Sequence, residues 1–188
     1  YIKDHLYERL EPIVCITPRD KTFSKAYNRL PVDRTYFHQD LLVAPRVWER
    51  RSRRHVDVGS RVDGFVAHVA AFRPIEVVDL RPLQTSARNI HFVQQDACRL
   101  SPQALGLTDS LSCLHALEHF GLGRYGDPID AGGHVRGWRA ISSIVEPGGW
   151  AYLSVPIGAR QRVEFNAHRV FSLPTLARMV EDDFELRA

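Results

Sequence analysis

Apolar and polar residues change rhythm along the chain at His55. Before it, residues 1–54 are irregular and interrupted by Pro12, Pro18, Pro31 and Pro45, with helical spacing only around residues 4–10 and 39–50. That stretch is expected to form an arm packed on a main domain, residues 55–188. From His55 onward, short apolar runs alternate with segments of helical period. "HVDVGS" predicts a strand, and "VDGFVAHVAAF" a helix with Phe65, Val66, Val69 and Phe72 on one face. "IEVVDL" and "IHFVQQD" predict two more strands, "SPQALG" a short helix and "SLSCLHAL" a fourth strand. "HVRGWRAISSIVEPGG" predicts a helix stopped by Pro-Gly-Gly, "WAYLSVP" a fifth strand and "SLPTLARMVED" a last helix. Strands alternating with helices predict a mostly parallel sheet, because parallel neighbours need a crossover and the crossovers wind helices onto both faces. The expected fold is therefore α/β, Rossmann-like and doubly wound. Its ligand edge lies beyond the carboxyl ends of the strands, at the switch point just after "HVDVGS".

Composition narrows the class without changing that outline. The chain has 188 residues, 44% of them apolar, which supports one domain with a sizeable core. Its three cysteines, Cys15, Cys98 and Cys113, are too scattered for a disulfide framework or a zinc box, so a reducing, cytoplasmic setting is expected. No run approaches the roughly 18 apolar residues of a membrane helix, and "YIKDHLYERL" lacks the order of a signal peptide. The first residue is not methionine and "DDFELRA" begins a strand-like pattern, so part of a longer protein, including the sheet's last strands, is expected to be missing. "RVWERRSRR" sets five arginines against Glu49 alone and is read as a solvated helix end. No base-reading motif or aromatic interleaving accompanies it, so a nucleic-acid partner is not expected.

The loop "GSRVDG" decides among ligands. A dinucleotide fingerprint needs a glycine where Arg61 stands, and a phosphate-cradling loop needs Lys and Ser or Thr where Phe65 and Val66 stand. What remains is a nucleoside without a pyrophosphate, of which S-adenosylmethionine is the common case. Asp79, twenty residues after Gly59, closes the second strand where it can accept from ribose hydroxyls. Asp96 closes the third, where it can accept from an adenine amino group beside the backbone of Ala97 and Cys98. An acid at a strand end is also a common helix cap or turn former. Three sites in register on three successive strands favour the ligand reading. Arg61 is expected either to clamp the ligand's carboxylate or to turn toward Asp63 or another acid of its loop.

The order "VDVGS", "VVDL", "QQDA", "IVEPGGWAYLSVP" resembles class I S-adenosylmethionine-dependent methyltransferases over roughly residues 55–186. More narrowly, "HVDVGSRVDGF", "CLHALEHFGLGRYGDPID" and "FNAHRVF" look like a group of methyltransferase-like proteins known only as a domain of unknown function and met among polysaccharide-biosynthesis genes. That match reaches back to about Tyr36. The resemblance implies S-adenosylmethionine as cofactor and a hydroxyl of a sugar or small metabolite, glycans included, as methyl acceptor. By position it implies that Asp57, Gly59, Ser60 and Gly64 form the methionine-side loop, that Asp79 meets the ribose, and that Asp96 and Ala97 meet the adenine. Arg61 departs from the usual glycine-rich pattern.

Acceptor chemistry is expected after the fourth strand, in "LHALEHFGLGRYGDP". Methyl transfer needs alignment and, for a hydroxyl, a base of near-neutral pKa, a role that suits histidine. His119 or His168 is expected as the base, with Glu118 and Asp127 beside it and His115 on the cofactor side. Arg124, Tyr125, Asn166 and Arg169 are candidate acceptor contacts, although Arg124 and Tyr125 can equally pin their own loop. Two enzyme rivals and one non-catalytic rival remain. "HALEH" fits an inverted zinc-peptidase motif, which needs a helix that Gly121 and Gly123 disfavour. His119, Asp127 and His168 are ordinary metal ligands. A binding module can also keep the fold without the chemistry.

Overall fold

The computed structural model describes residues 17–18 and 34–185. The helix expected at residues 4–10, Cys15 and the last three residues of "DDFELRA" lie outside them. Helix α1 (Arg34–Arg50) leads into β1 (His55–Val58), a π turn (Val62–Val66) with α2 (Ala67–Ala70), β2 (Ile75–Asp79) and β3 (Ile90–Gln94). Then follow α3 (Pro102–Leu105), β4 (Thr108–Leu114), α4 (Gly133–Ser143), β5 (Val145–Ser154), the hairpin β6 (Arg162–Glu164) and β7 (His168–Val170), and α5 (Leu173–Val180). The five long strands form one sheet in the order β3-β2-β1-β4-β5, and every neighbouring pair is parallel. This is the expected wound α/β sheet. The order reverses beside β1, which places the switch point at the β1 and β4 exits. Thr17–Pro18 adds a short parallel ladder to Pro156–Ile157.

Two apolar layers clamp the sheet. On one face Val56, Val58, Leu111 and Cys113 pack with Trp138 and Ile141 of α4 and Leu176 of α5. On the other, Val43, Ala44 and Val47 of α1 pack with Phe65, Val66, Val69 and Val77, so α1 covers that face of the sheet. Each fully buried Val or Leu contributes about 1.5–3 kcal/mol. Between the layers the second face is polar at its centre. His55, Asp57, Ser110 and Ser112, all buried, alternate with the apolar residues of β1 and β4.

Three expected boundaries move. The helix predicted over "VDGFVAHVAAF" opens as a π turn broken at Gly64, whose φ of −123° and ψ of −109° are not helical. α4 ends at Ser143, and Pro147 to Gly149 fall inside β5, where the register to β4 jumps from Thr108↔Val145 to Ser110↔Trp150. The fourth strand stops at Leu114, after which Leu117–His119 forms a single 3-10 turn. The arginine run, expected to be solvated, keeps Arg50, Arg51 and Arg53 exposed while some of its guanidinium groups also meet the protein. Arg54 grips Glu76 with Nε and Nη2 at 2.6 Å each, Arg53 pairs with Glu146, and the Arg50 guanidinium lies 3.4 Å from the Trp150 ring centroid. Among the described residues no helix is long and apolar enough to cross a membrane.

Candidate functional site

A cleft of about 240 Å³ opens at the carboxyl ends of β1, β2 and β4. Its floor begins at Gly59, where the chain must leave β1 and turn at once. Gly59 has φ +71°, donates its N–H to the Val78 carbonyl at 2.9 Å, and leaves no room for a side chain, since a Cβ there would stand 2.9 Å from the Ala116 Cβ. A backbone that approaches this closely suits a ligand laid across the turn.

The turn is held from beneath by Asp57 and two hydroxyls. Asp57 Oδ1 accepts from Ser60 Oγ at 2.6 Å and Ser112 Oγ at 2.5 Å, and Oδ2 accepts from the Ser60 N–H at 3.0 Å. Ser60 Oγ accepts in turn from the Leu114 N–H at 3.1 Å, tying β1 to β4. His55 continues the network to Ser110 at 2.7 Å and Ser112 at 3.2 Å. Burial pushes the Asp57 carboxyl up to about 6, against the pull of its three donors, and pushes His55 down to about 3. Asp57 and Ser60, expected to form the methionine-side loop, hold that loop from beneath and do not border the cleft. Gly64 belongs to the same loop. It does not line the cleft, and a Cβ there would collide with Asp40 of α1.

Arg61 takes the second of its two expected courses. Its Nε and Nη2 donate to Asp63 at 3.1 and 2.9 Å, on the rim. Asp79 does face the cleft, but Arg81 wraps back onto it, donating its backbone N–H at 2.8 Å, Nε at 3.0 Å and Nη2 at 2.7 Å. Asp96 lines the cleft beside Ala97 and also caps the next turn by accepting from the Cys98 N–H at 2.9 Å. Burial and the Asp96 charge raise the Cys98 thiol to about 11, so it is protonated at neutral pH.

The opposite wall comes from the exit of β4. His115, held at φ +53°, sets Nδ1 3.1 Å from Glu118 Oε1, and its ring meets Tyr36 edge-on at 5.0 Å. Glu118 is 2% exposed and stands 3.8 Å from His119 Nε2. His119 Nδ1 lies 2.7 Å from the Ala167 carbonyl. A carbonyl only accepts, so Nδ1 carries the proton and the neutral ring has its lone pair on Nε2. That contact draws in the β6–β7 hairpin, and the His119 and His168 ring centroids are 6.5 Å apart, although 49 positions separate the two residues. His168 faces Glu164 at 3.3 Å and does not line the cleft.

The remaining candidates divide. Tyr125 borders the cleft, its ring 5.3 Å from that of His119; Arg124 is exposed and outside the lining, its Nε donating to the Tyr125 hydroxyl at 3.2 Å. Asp127 also borders it, but both oxygens accept from its own loop, from the N–H groups of Gly121 at 2.7 Å and Tyr125 at 3.3 Å. Asn166 is exposed at the hairpin turn, away from the cleft. Arg169, expected to touch the acceptor, is corrected to a structural residue. It is 1% exposed and donates to the carbonyls of Glu118, Phe120, Asp130 and Ala131, stitching the two loops together. The cleft also holds Tyr36 and Arg81, which sequence reasoning missed; for Arg81 the available signal was its place two residues after a strand-end acid. The zinc-peptidase reading fails because "HALEH" lacks its helix, and among the described residues no group of three His, Cys, Asp or Glu is placed to hold a metal.

A family profile described as "Caenorhabditis protein of unknown function, DUF268" matches residues 102–187. No curated protein sequence matches the chain. Among solved structures, an O-methyltransferase family protein of Burkholderia thailandensis aligns with TM-score 0.53 at 15% identity, over 80% of this chain and 52% of its own. The 1,6-didemethyltoxoflavin-N1-methyltransferase of the same organism, solved with 1,6-didemethyltoxoflavin and S-adenosylhomocysteine, aligns with TM-score 0.57 at 16% identity, over 86% of this chain and 74% of its own. The chain thus spans about half the length of the first of these proteins. It has the Rossmann-like fold of S-adenosylmethionine-dependent methyltransferases.

Proposed function

We propose that this chain carries the catalytic domain of an S-adenosylmethionine-dependent methyltransferase that modifies a hydroxyl of a sugar or other small metabolite, with residues 1–54 as an arm on that domain. The observation that supports it most is one cleft, at the switch point of a methyltransferase-like sheet, bordered by Gly59, Asp79 and Asp96 on one side and by His115 and His119 on the other. The residues fit the cofactor. Gly59 leaves a side-chain-free cradle, Asp79 offers acceptor oxygens at the end of β2, and Asp96 offers them at the end of β3. When bound, S-adenosylmethionine would supply an electrophilic methyl carbon on its sulfonium.

The rest of the chemistry belongs to the chain. His119 Nε2 takes the proton of the acceptor hydroxyl, its ring held in place by the Ala167 carbonyl. Glu118, 3.8 Å away, stabilises the imidazolium that results. His119 is preferred to His168 because it borders the cleft. The soluble setting and a glycan as the acceptor belong to the same proposal. The test is transfer of a labelled methyl group from S-adenosylmethionine into a pool of hydroxylated metabolites. His119→Asn is expected to lower transfer by about 10²–10⁴-fold, the usual worth of a general base, with S-adenosylhomocysteine binding retained. Undiminished transfer in His119→Asn would remove His119 from the role, and no transfer by the unaltered protein into any pool would count against the reaction.

A further inference from the structure

We propose that the outer wall of the cleft is an anion site and that the acceptor carries a carboxylate or phosphate held by Arg124 and Arg81; this rests on the reading of the cleft as a site of methyl transfer. Tyr125 stands at the mouth, 37% exposed, with two guanidinium groups near it whose central carbons lie 4.5 Å (Arg81) and 5.5 Å (Arg124) from its ring centroid. The loop is fixed before any ligand arrives. Asp127 holds the Gly121 and Tyr125 N–H groups, and Gly123 and Gly126 turn the chain at φ +71° and +91°.

The acids around this mouth already have partners, and Asp96 faces Arg99 at 3.5 Å. Asp63 is paired with Arg61, Asp79 with Arg81, and Asp127 faces backbone donors. Among the described residues, Arg124 donates from Nε to the Tyr125 hydroxyl at 3.2 Å and has no carboxylate within ion-pair distance. Its planar fork of N–H donors suits a carboxylate or phosphate. An anion gripped there lies on the Tyr125 side of the cleft, and the Tyr125 ring is 5.3 Å from that of His119. Arg81 makes the grip depend on the cofactor. Its Nε and Nη2 are bound to Asp79, the acid proposed to accept from a ribose, so hydroxyls that take those lone pairs release the guanidinium toward the mouth.

The experiment is calorimetric titration of the full chain with inorganic phosphate, benzoate and the neutral control benzamide, each with and without saturating S-adenosylhomocysteine. On the loaded protein, phosphate or benzoate should bind about tenfold or more tightly than benzamide, the worth of a charge-assisted hydrogen bond, and Arg124→Gln should abolish that margin. Whichever anion binds better tells phosphate from carboxylate. Arg81→Gln should narrow the difference between loaded and free protein. Anions no tighter than benzamide, or an Arg124→Gln variant that binds them as the unaltered chain does, would overturn the proposal. Arg124-dependent anion binding without any binding of S-adenosylhomocysteine would leave the anion site standing and sink the methyl-transfer reading instead.

Discussion

At the exits of β1 and β2 the carboxylates already hold partners of the protein's own, Asp57 two serines and Asp79 an arginine, whereas at the exit of β4 Glu118 Oε2 and His115 Nε2 are buried with no hydrogen-bond partner among the described residues. An unpartnered buried polar atom costs about 1–3 kcal/mol, a cost that a bound ligand or water can offset. The first region builds a rigid turn and offers its backbone. The second, assembled from a 3-10 turn and a hairpin held by Arg169, offers side-chain chemistry. A nucleoside suits the first and an acceptor the second.

The sharpest way to break this contrast is to remove the stitch. Arg169→Ala deletes a buried cation that holds four carbonyls, and should lower stability by about 3–5 kcal/mol through lost charge-assisted bonds and a cavity. Chemical denaturation would read this, and a loss below about 1 kcal/mol would return Arg169 to the list of acceptor contacts. Next comes Gly59→Ala, which combines a left-handed backbone with a collision at Ala116 and should cost about 2–4 kcal/mol in stability or ligand binding.

The polar layer beneath the turn predicts a pH signature. His55 is held neutral down to about 3, below its unfolded 6.5, so the unfolded chain binds more protons between those values and His55 makes stability rise with pH there. Asp57 has the opposite sign. Its folded value, about 6, lies above 3.8, so the folded chain binds more protons and stability falls as pH rises through that window. The two slopes, each worth a few kcal/mol, oppose each other between pH 4 and 6. Asp57→Asn should therefore steepen the rise of stability over that window, as seen in denaturation midpoints; an unchanged slope would show that the two groups do not titrate as described. The smallest effect belongs to Arg61→Ala. Its ion pair to Asp63 is exposed, and surface pairs contribute about 0–1 kcal/mol, so thermal stability should scarcely move.

Much of this was legible in the sequence because strands and helices announce themselves locally. The alternation from His55 onward yields all five strands of the sheet, and Gly59, Asp79 and Asp96 fall at the ends of three of them. Non-local pairing was illegible. Ser112, 55 positions from Asp57, turns a presumed ligand contact into a buried support, and Arg169 looks like a surface cation until the loops close over it. Arg81 escaped notice because an arginine two residues after an acid reads as a solvated turn, whereas the structure folds it back onto that acid and over Tyr125.

The central claim is that the β1–β3 edge holds a nucleoside, and titration of the chain with S-adenosylhomocysteine by calorimetry tests it most directly. The account predicts saturable one-to-one binding, weakened by about 1–3 kcal/mol in Asp79→Ala, the cost of removing a charged hydrogen-bond acceptor. No heat of binding from a folded, unaltered chain, or equal affinity in a folded Asp79→Ala variant, would contradict it.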